Sequence, residues 1–162
     1  MDPLHIWKQL SDDLRTQSAE AFFDDSTLKD FHRAAEAFIA RQKNFRPAFI
    51  KRLPQSKRAF YLAHLPLSPE LASQLLVSYH FAQQRPLMSV FLNALNIPND
   101  NGLITSDAEV SKPDDQLLTT AIDTLRRDFP SDDVTRYFAT LYSQNPEVWS
   151  GLESQVAVSN AE

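Results

Sequence analysis

The chain has 162 residues, 43% of them apolar and 23% charged, a net charge of −5 and no cysteine. These proportions are those of an ordinary soluble globular protein of one-domain size. It holds only 2 glycines, Gly102 and Gly151, whereas loops that cradle phosphate need several close together, so that the backbone can approach the ligand and adopt positive φ. A P-loop, a dinucleotide-binding fingerprint and a kinase-type loop are therefore excluded. The lack of cysteine removes thiol nucleophiles, thiolate zinc sites and redox dithiols.

The start, Met1-Asp2-Pro3-Leu4-His5, has no basic stretch leading into an apolar run, and no apolar run approaches the ~20 residues that cross a bilayer. The expectation is a cytoplasmic protein without a membrane span. Helical spacing then begins at once. Leu4, Trp7, Leu10 and Leu14 recur at steps of three and four, and Asp2-Pro3 reads as a helix start, because proline at the first helical position gives up an amide that has no partner there. Leu28, Phe31, Ala35, Phe38 and Ile39 form the next stripe behind Ser26. Leu71, Leu75, Leu76 and Tyr79 follow the start signal Ser68-Pro69-Glu70. Lys112-Pro113-Asp114-Asp115 introduces Leu117, Ala121, Ile122, Leu125 and Phe129. Val134, Phe138, Leu141 and Tyr142 come next, and Asn145-Pro146-Glu147 opens the last stretch.

Together these marks predict helices at about 3–16, 18–24, 26–43, 46–53, 55–65, 69–83, 86–96, 113–128, 131–144 and 146–153. No stretch alternates with period two. Asn99-Asp100-Asn101-Gly102 is the one strong turn cluster, and Leu103-Ile104-Thr105 after it can form a short extended piece. The segment 97–112 is the longest loop, expected to be the most mobile internal one and the first cut by a protease, with Leu103 and Ile104 pinning its middle. The fold expected is all-α, a single-domain bundle of about eight to ten short helices over residues 1–155, with 156–162 as a disordered tail.

Charge is distributed unevenly. Residues 1–40 carry a net charge of −4 and residues 70–162 a net charge of −8. Between them Arg41, Lys43, Arg46, Lys51, Arg52, Lys57 and Arg58 stand without a single acid, interleaved with Phe45, Phe49, Phe60 and Tyr61. Cations beside stacking rings suit a phosphate backbone and its bases, and equally an anionic membrane surface or an acidic protein. A plainer alternative is internal: Phe45, Phe49 and Leu53 fall at steps of four and can point into a core, leaving the cations to face the acidic remainder of the molecule. An isoelectric point near 5.3 disfavours a dedicated nucleic-acid binder. The segment is expected to be partly self-neutralised, with another protein as the partner ahead of nucleic acid.

The histidines His5, His32, His64 and His80 form no recognisable ligand motif. His32 and Glu36 are four apart on one helix and can converge, but a metal needs a further such ligand from a neighbouring helix. The doublets Asp12-Asp13, Asp24-Asp25, Asp114-Asp115 and Asp132-Asp133 point about 100° apart on a helix and suit two solvated positions better than a catalytic dyad; the last two lie in predicted first turns, where the helix dipole explains them. Phe22-Phe23, Phe60-Tyr61 and Phe91 cannot all lie on one buried face; a second buried face is the first reading and an exposed anchor patch the other.

The function expected is a non-catalytic helical interaction or adaptor module that binds an anionic partner through the seven cations. One alternative is phosphate or nucleic-acid binding through 41–58. Another is a small-ligand-binding helical protein, or an enzyme, with a pocket between helices. No catalytic residue, metal ligand or cofactor is assigned, and the sequence leaves the oligomeric state open.

Overall fold

The computed structural model describes residues 2–105 and 110–157. As the periodicity predicts, the fold is all-α: ten α-helices and one two-stranded hairpin occur among the described residues. Contacts divide them into two compact units, residues 2–82 and residues from 83 onward. The first unit holds α1 (Pro3–Gln9), α2 (Asp12–Asp24), α3 (Lys29–Lys43), α4 (Pro47–Arg52), α5 (Gln55–His64) and α6 (Pro69–Gln83, its last residue falling in the second unit). The second holds α7 (Arg85–Ala94), β1 (Asn99–Asp100), β2 (Leu103–Ile104), α8 (Asp115–Asp128), α9 (Ser131–Gln144) and α10 (Glu153–Ala157).

In the first unit the Asp2 carboxylate accepts from Leu4 N at 3.1 Å and caps α1, with Pro3 in the first turn. The single helix expected over 3–16 is two helices. Leu10 takes an extended conformation, and Ser11 Oγ accepts from Leu14 N at 3.2 Å, so Ser11-Asp12-Asp13 begins a new helix with two acids in its first turn. Helix α2 packs along α5, while α3 packs on both α4 and α5. Ala19, Phe22, Ala35, Ile39, Ile50, Ala59 and Leu62 are buried. A short 3-10 turn, Ser26–Leu28, leads from α2 into α3.

Helix α3 ends at Asn44, which adopts the left-handed conformation (φ 56°), and Phe45 N closes the end by donating to Ala40 O at 2.9 Å. Arg46 is extended, Pro47 starts α4, and Leu53-Pro54 ends it. Two corners within eleven residues thus bend the basic segment into three short pieces.

In the second unit α7 ends in the same way, with Asn96 left-handed (φ 57°) and Ile97 N donating to Leu92 O at 2.9 Å. The turn cluster then makes a hairpin: Asn99 pairs with Ile104 and Asp100 with Leu103. Asn101 (φ 50°) and Gly102 (φ 94°) supply the two left-handed residues of its turn. Asn99 Nδ2 donates to Asn93 Oδ1 and to Ile97 O, both at 2.9 Å, while its Oδ1 accepts from Gly102 N at 3.0 Å. This half of the expected loop is therefore anchored. Residues 106–109, which carry much of the reason for expecting mobility there, lie outside the described residues.

Asp114 caps α8 by accepting from Gln116 N and Leu117 N. The helix expected over 146–153 is more broken: one turn capped by Asn145, a 3-10 turn at Ser150–Leu152, then α10. Helix α10 takes in Val156, which is buried, so helix runs past residue 155; the rest of the expected tail, 158–162, lies outside the described residues. Phe91 anchors this unit's core, with Phe138, Tyr137 and Trp149 ring centres 5.2, 5.6 and 5.9 Å away. No helix among the described residues is long and apolar enough to cross a membrane.

Candidate functional site: a basic and aromatic face

Four of the seven cations fall where the backbone favours them. Arg41 and Lys43 occupy the last turn of α3, and Lys51 and Arg52 the last turn of α4, at the negative ends of those helices. Arg46 lies in the corner between them; Lys57 and Arg58 lie in the first turn of α5. Six of the seven are exposed. Only Arg58 is partly buried: its guanidinium donates to Glu36 at 2.7 Å and lies 5.3 Å from the Phe23 ring centre. Among the described residues none of the other six forms an ion pair. Self-neutralisation, expected for part of the segment, is confined to Arg58.

The interleaved rings do not point inward as their spacing suggested. Ile50, not Phe49, is the buried residue of α4, and Phe49 is 47% exposed. Phe60 is 50% exposed, while Phe45, Leu53 and Tyr61 are half-buried. Of the crowded aromatics, Phe22, Phe23 and Phe91 go into cores, and Phe60-Tyr61 does not. Four rings instead touch in a continuous path across the corner: Phe49 to Phe45 at 5.0 Å, Phe45 to Tyr61 at 5.7 Å, and Tyr61 to Phe60 at 6.1 Å, all edge-to-face. Lys43 Nζ sits 5.5 Å from the centre of the Tyr61 ring. Spacing of three or four along a helix puts Arg52 beside Phe49 and Lys57 beside Phe60 and Tyr61, while Arg46 stands at the extended corner just before α4. Cations from all three pieces of the segment therefore flank the ring path.

The path has a polar end. His64 stacks on Phe60 with ring centres 4.4 Å apart, and its Nδ1–H donates to Phe60 O at 2.8 Å. Beyond it opens a groove of about 420 Å³ lined by Phe60, His64 and, from α2, Asp12, Asp13, Thr16, Gln17 and Glu20. Asp12 is engaged by Arg15. The face thus runs from cations at the α3–α4 corner to carboxylates along α2.

The other sequence candidates have local roles. His32 Nε2–H donates to Phe22 O at 2.6 Å and its ring rests against Phe22 and Phe23, while Glu36 is taken by Arg58, so the pair does not converge. Asp24 accepts from Gln55, Asp25 caps the 3-10 turn before α3, and Asp133 accepts from Arg136 at 2.6 Å. Among the described residues no three His, Asp or Glu side chains group as a metal ion needs. No protein-family model, curated protein or solved structure matches this chain.

Sequence spacing found the cations and the rings. It missed which rings are outside, and it missed His64 as the end of the path. The Asn44 corner, which brings Phe45 against Tyr61, was readable only as a helix end.

Proposed function

We propose that the protein is a non-catalytic interaction module that binds an acidic protein surface through the basic and aromatic face of α3, α4 and α5. One observation carries this reading: six cations of the segment are exposed and free of ion pairs among the described residues, and the same segment carries a path of rings that includes the exposed Phe49 and Phe60. Exposed phenylalanines framed by cations favour a partner whose carboxylates surround apolar side chains. The cations steer its approach, and rings desolvated at the centre supply the affinity. The same reading takes the module to act in the cytoplasm, which cell fractionation tests.

The second reading is a single strand of nucleic acid stacked on Phe49 and Phe60. Those exposed rings favour it. The carboxylates of Asp12, Asp13 and Glu20 at the far end of the path count against it, because they repel a phosphate backbone.

The test compares a labelled peptide rich in glutamate and leucine with a random-sequence single-stranded oligonucleotide at physiological salt. The peptide is expected to bind, to weaken steeply as salt rises, and to be lost in the triple variant Arg46→Gln, Lys51→Gln, Arg52→Gln, which should keep the wild-type melting temperature. Tight oligonucleotide binding without peptide binding overturns the proposal in favour of the second reading.

A further inference from the structure

The chain carries its own complement to this face. Residues 2–82 hold 11 basic and 9 acidic side chains, a net charge of +2, whereas residues 83–162 hold 5 basic and 12 acidic ones, a net charge of −7. Along α8 and into α9, Asp115, Asp123, Asp128 and Asp132 are exposed. Of these four only Asp128 has an ion-pair partner among the described residues, its neighbour Arg127. The same stretch exposes Leu117, 40% accessible, one of the few large apolar side chains left outside. Leu117 lies at one edge of the buried stripe of α8, while Asp115 and Asp123 lie on the other exposed side of the helix, where they complement the cations of the basic face.

We infer that the occupant of the basic and aromatic face is a second copy of this chain, presenting the exposed carboxylates of α8 and the start of α9. This rests on the protein-partner reading above and names the partner. Because the two surfaces belong to different halves of the chain, each copy offers one of each, so they can pair reciprocally in a two-fold dimer or link copies into a ring or an open chain. Its attraction is electrostatic in range, extending about 8 Å at physiological ionic strength, so it strengthens as salt is lowered.

Two variants separate the surfaces. One carries Arg46→Gln, Lys51→Gln and Arg52→Gln; the other carries Asp115→Asn, Asp123→Asn and Asp132→Asn. Both change only exposed side chains, and circular dichroism is run to check that each retains the wild-type helical signal. Sedimentation velocity is run on wild type, on each variant alone and on their equimolar mixture, at low and physiological salt. Wild type is expected to grow in mass with concentration at low salt and to return toward 18.4 kDa as salt rises. Each variant alone is expected to stay at one chain. The mixture is expected to regain association and to stop at two chains, because the first variant keeps only its acidic surface intact and the second only its basic one. A wild type that remains one chain throughout, or a mixture that fails to associate although wild type does, overturns the inference. If the glutamate- and leucine-rich peptide still binds in that case, the protein-partner reading stands and only the identity of the partner falls; if it does not, both fall.

Discussion

Glu36 on α3 accepts a 2.7 Å hydrogen bond from Arg58 on α5, and the same guanidinium lies 5.3 Å from the Phe23 ring of α2, so one side chain ties three helices together. Both partners are mostly buried, with side chains 20% and 17% exposed. Truncating Arg58 leaves a carboxylate with little water and removes a ring contact. Arg58→Ala is expected to cost about 1.5–3 kcal/mol, the range for a hydrogen bond to a charged group. Glu36→Gln, which keeps an acceptor, is expected to cost less. Urea unfolding of both singles and the double variant measures the coupling. A coupling energy below ~0.3 kcal/mol, the level of independent sites, contradicts this account of the pair.

This pair also shows where sequence reading succeeds and stops. Helix spacing and start signals located every α-helix of the first unit to within a few residues except at the α1–α2 break, where an apolar stripe that ran on through Leu14 hid the new start capped by Ser11. The basic segment was legible as a run of charge. Which of its members would be paired was not, because Glu36 and Arg58 are 22 residues apart and meet only once α3 and α5 are packed. Phe49 shows the same limit: steps of four fit Phe45, Phe49 and Leu53 to one face, but the corner at Asn44–Pro47 resets the helix phase and gives Ile50 the buried position instead.

The two glycines have different reasons to be glycine. Gly102 has a φ of 94°, and a Cβ there would stand 2.8 Å from Met88 Cβ and 3.3 Å from Arg85 O, atoms that cannot swing away. Gly102→Ala combines backbone strain with a clash and is expected to cost about 1–3 kcal/mol. At Gly151 the added methyl meets only the end of the Leu118 side chain, which can change rotamer. Gly151→Ala is expected to lower the melting temperature by a smaller amount. Thermal melts of both variants check the order, and a reversed order contradicts it.

Arg126 closes the corner between α8 and α9. Its Nη1 donates to Ser131 O at 3.0 Å, Ser131 Oγ at 3.1 Å and Thr135 Oγ1 at 2.8 Å; Nε and Nη2 reach Gln155 of α10 at 3.4 and 3.3 Å, and the guanidinium lies 5.5 Å from the Phe138 ring centre. Burial lowers its pKa from the ordinary arginine value, and the fork of donors offsets that desolvation. Lysine carries the charge but not the fork. Arg126→Lys is therefore expected to destabilise nearly as much as Arg126→Met, by about 1–2 kcal/mol, and to increase amide exchange in α10. A lysine variant indistinguishable from wild type would show that charge alone suffices.

Tyr137 adds a pH dependence to stability in the alkaline range. It is 3% exposed within the Phe91 cluster, and burial raises its phenol pKa above the ordinary value near 10 by disfavouring the phenolate. Below that value both folded and unfolded chains keep the proton, so the group contributes nothing to the pH dependence. Above it the unfolded chain releases the proton while the folded chain retains it. The unfolded state then binds fewer protons, and stability falls as pH rises, with a slope approaching about 1.4 kcal/mol per pH unit from this residue. Tyr137→Phe removes the titrating group, so its stability should start from its own level at neutral pH and decline more gently through the alkaline range. Denaturant unfolding of the two proteins at a series of pH values above the ordinary phenol range measures the difference in slope. Parallel curves would mean that Tyr137 ionises as readily folded as unfolded, which its place in the core does not allow.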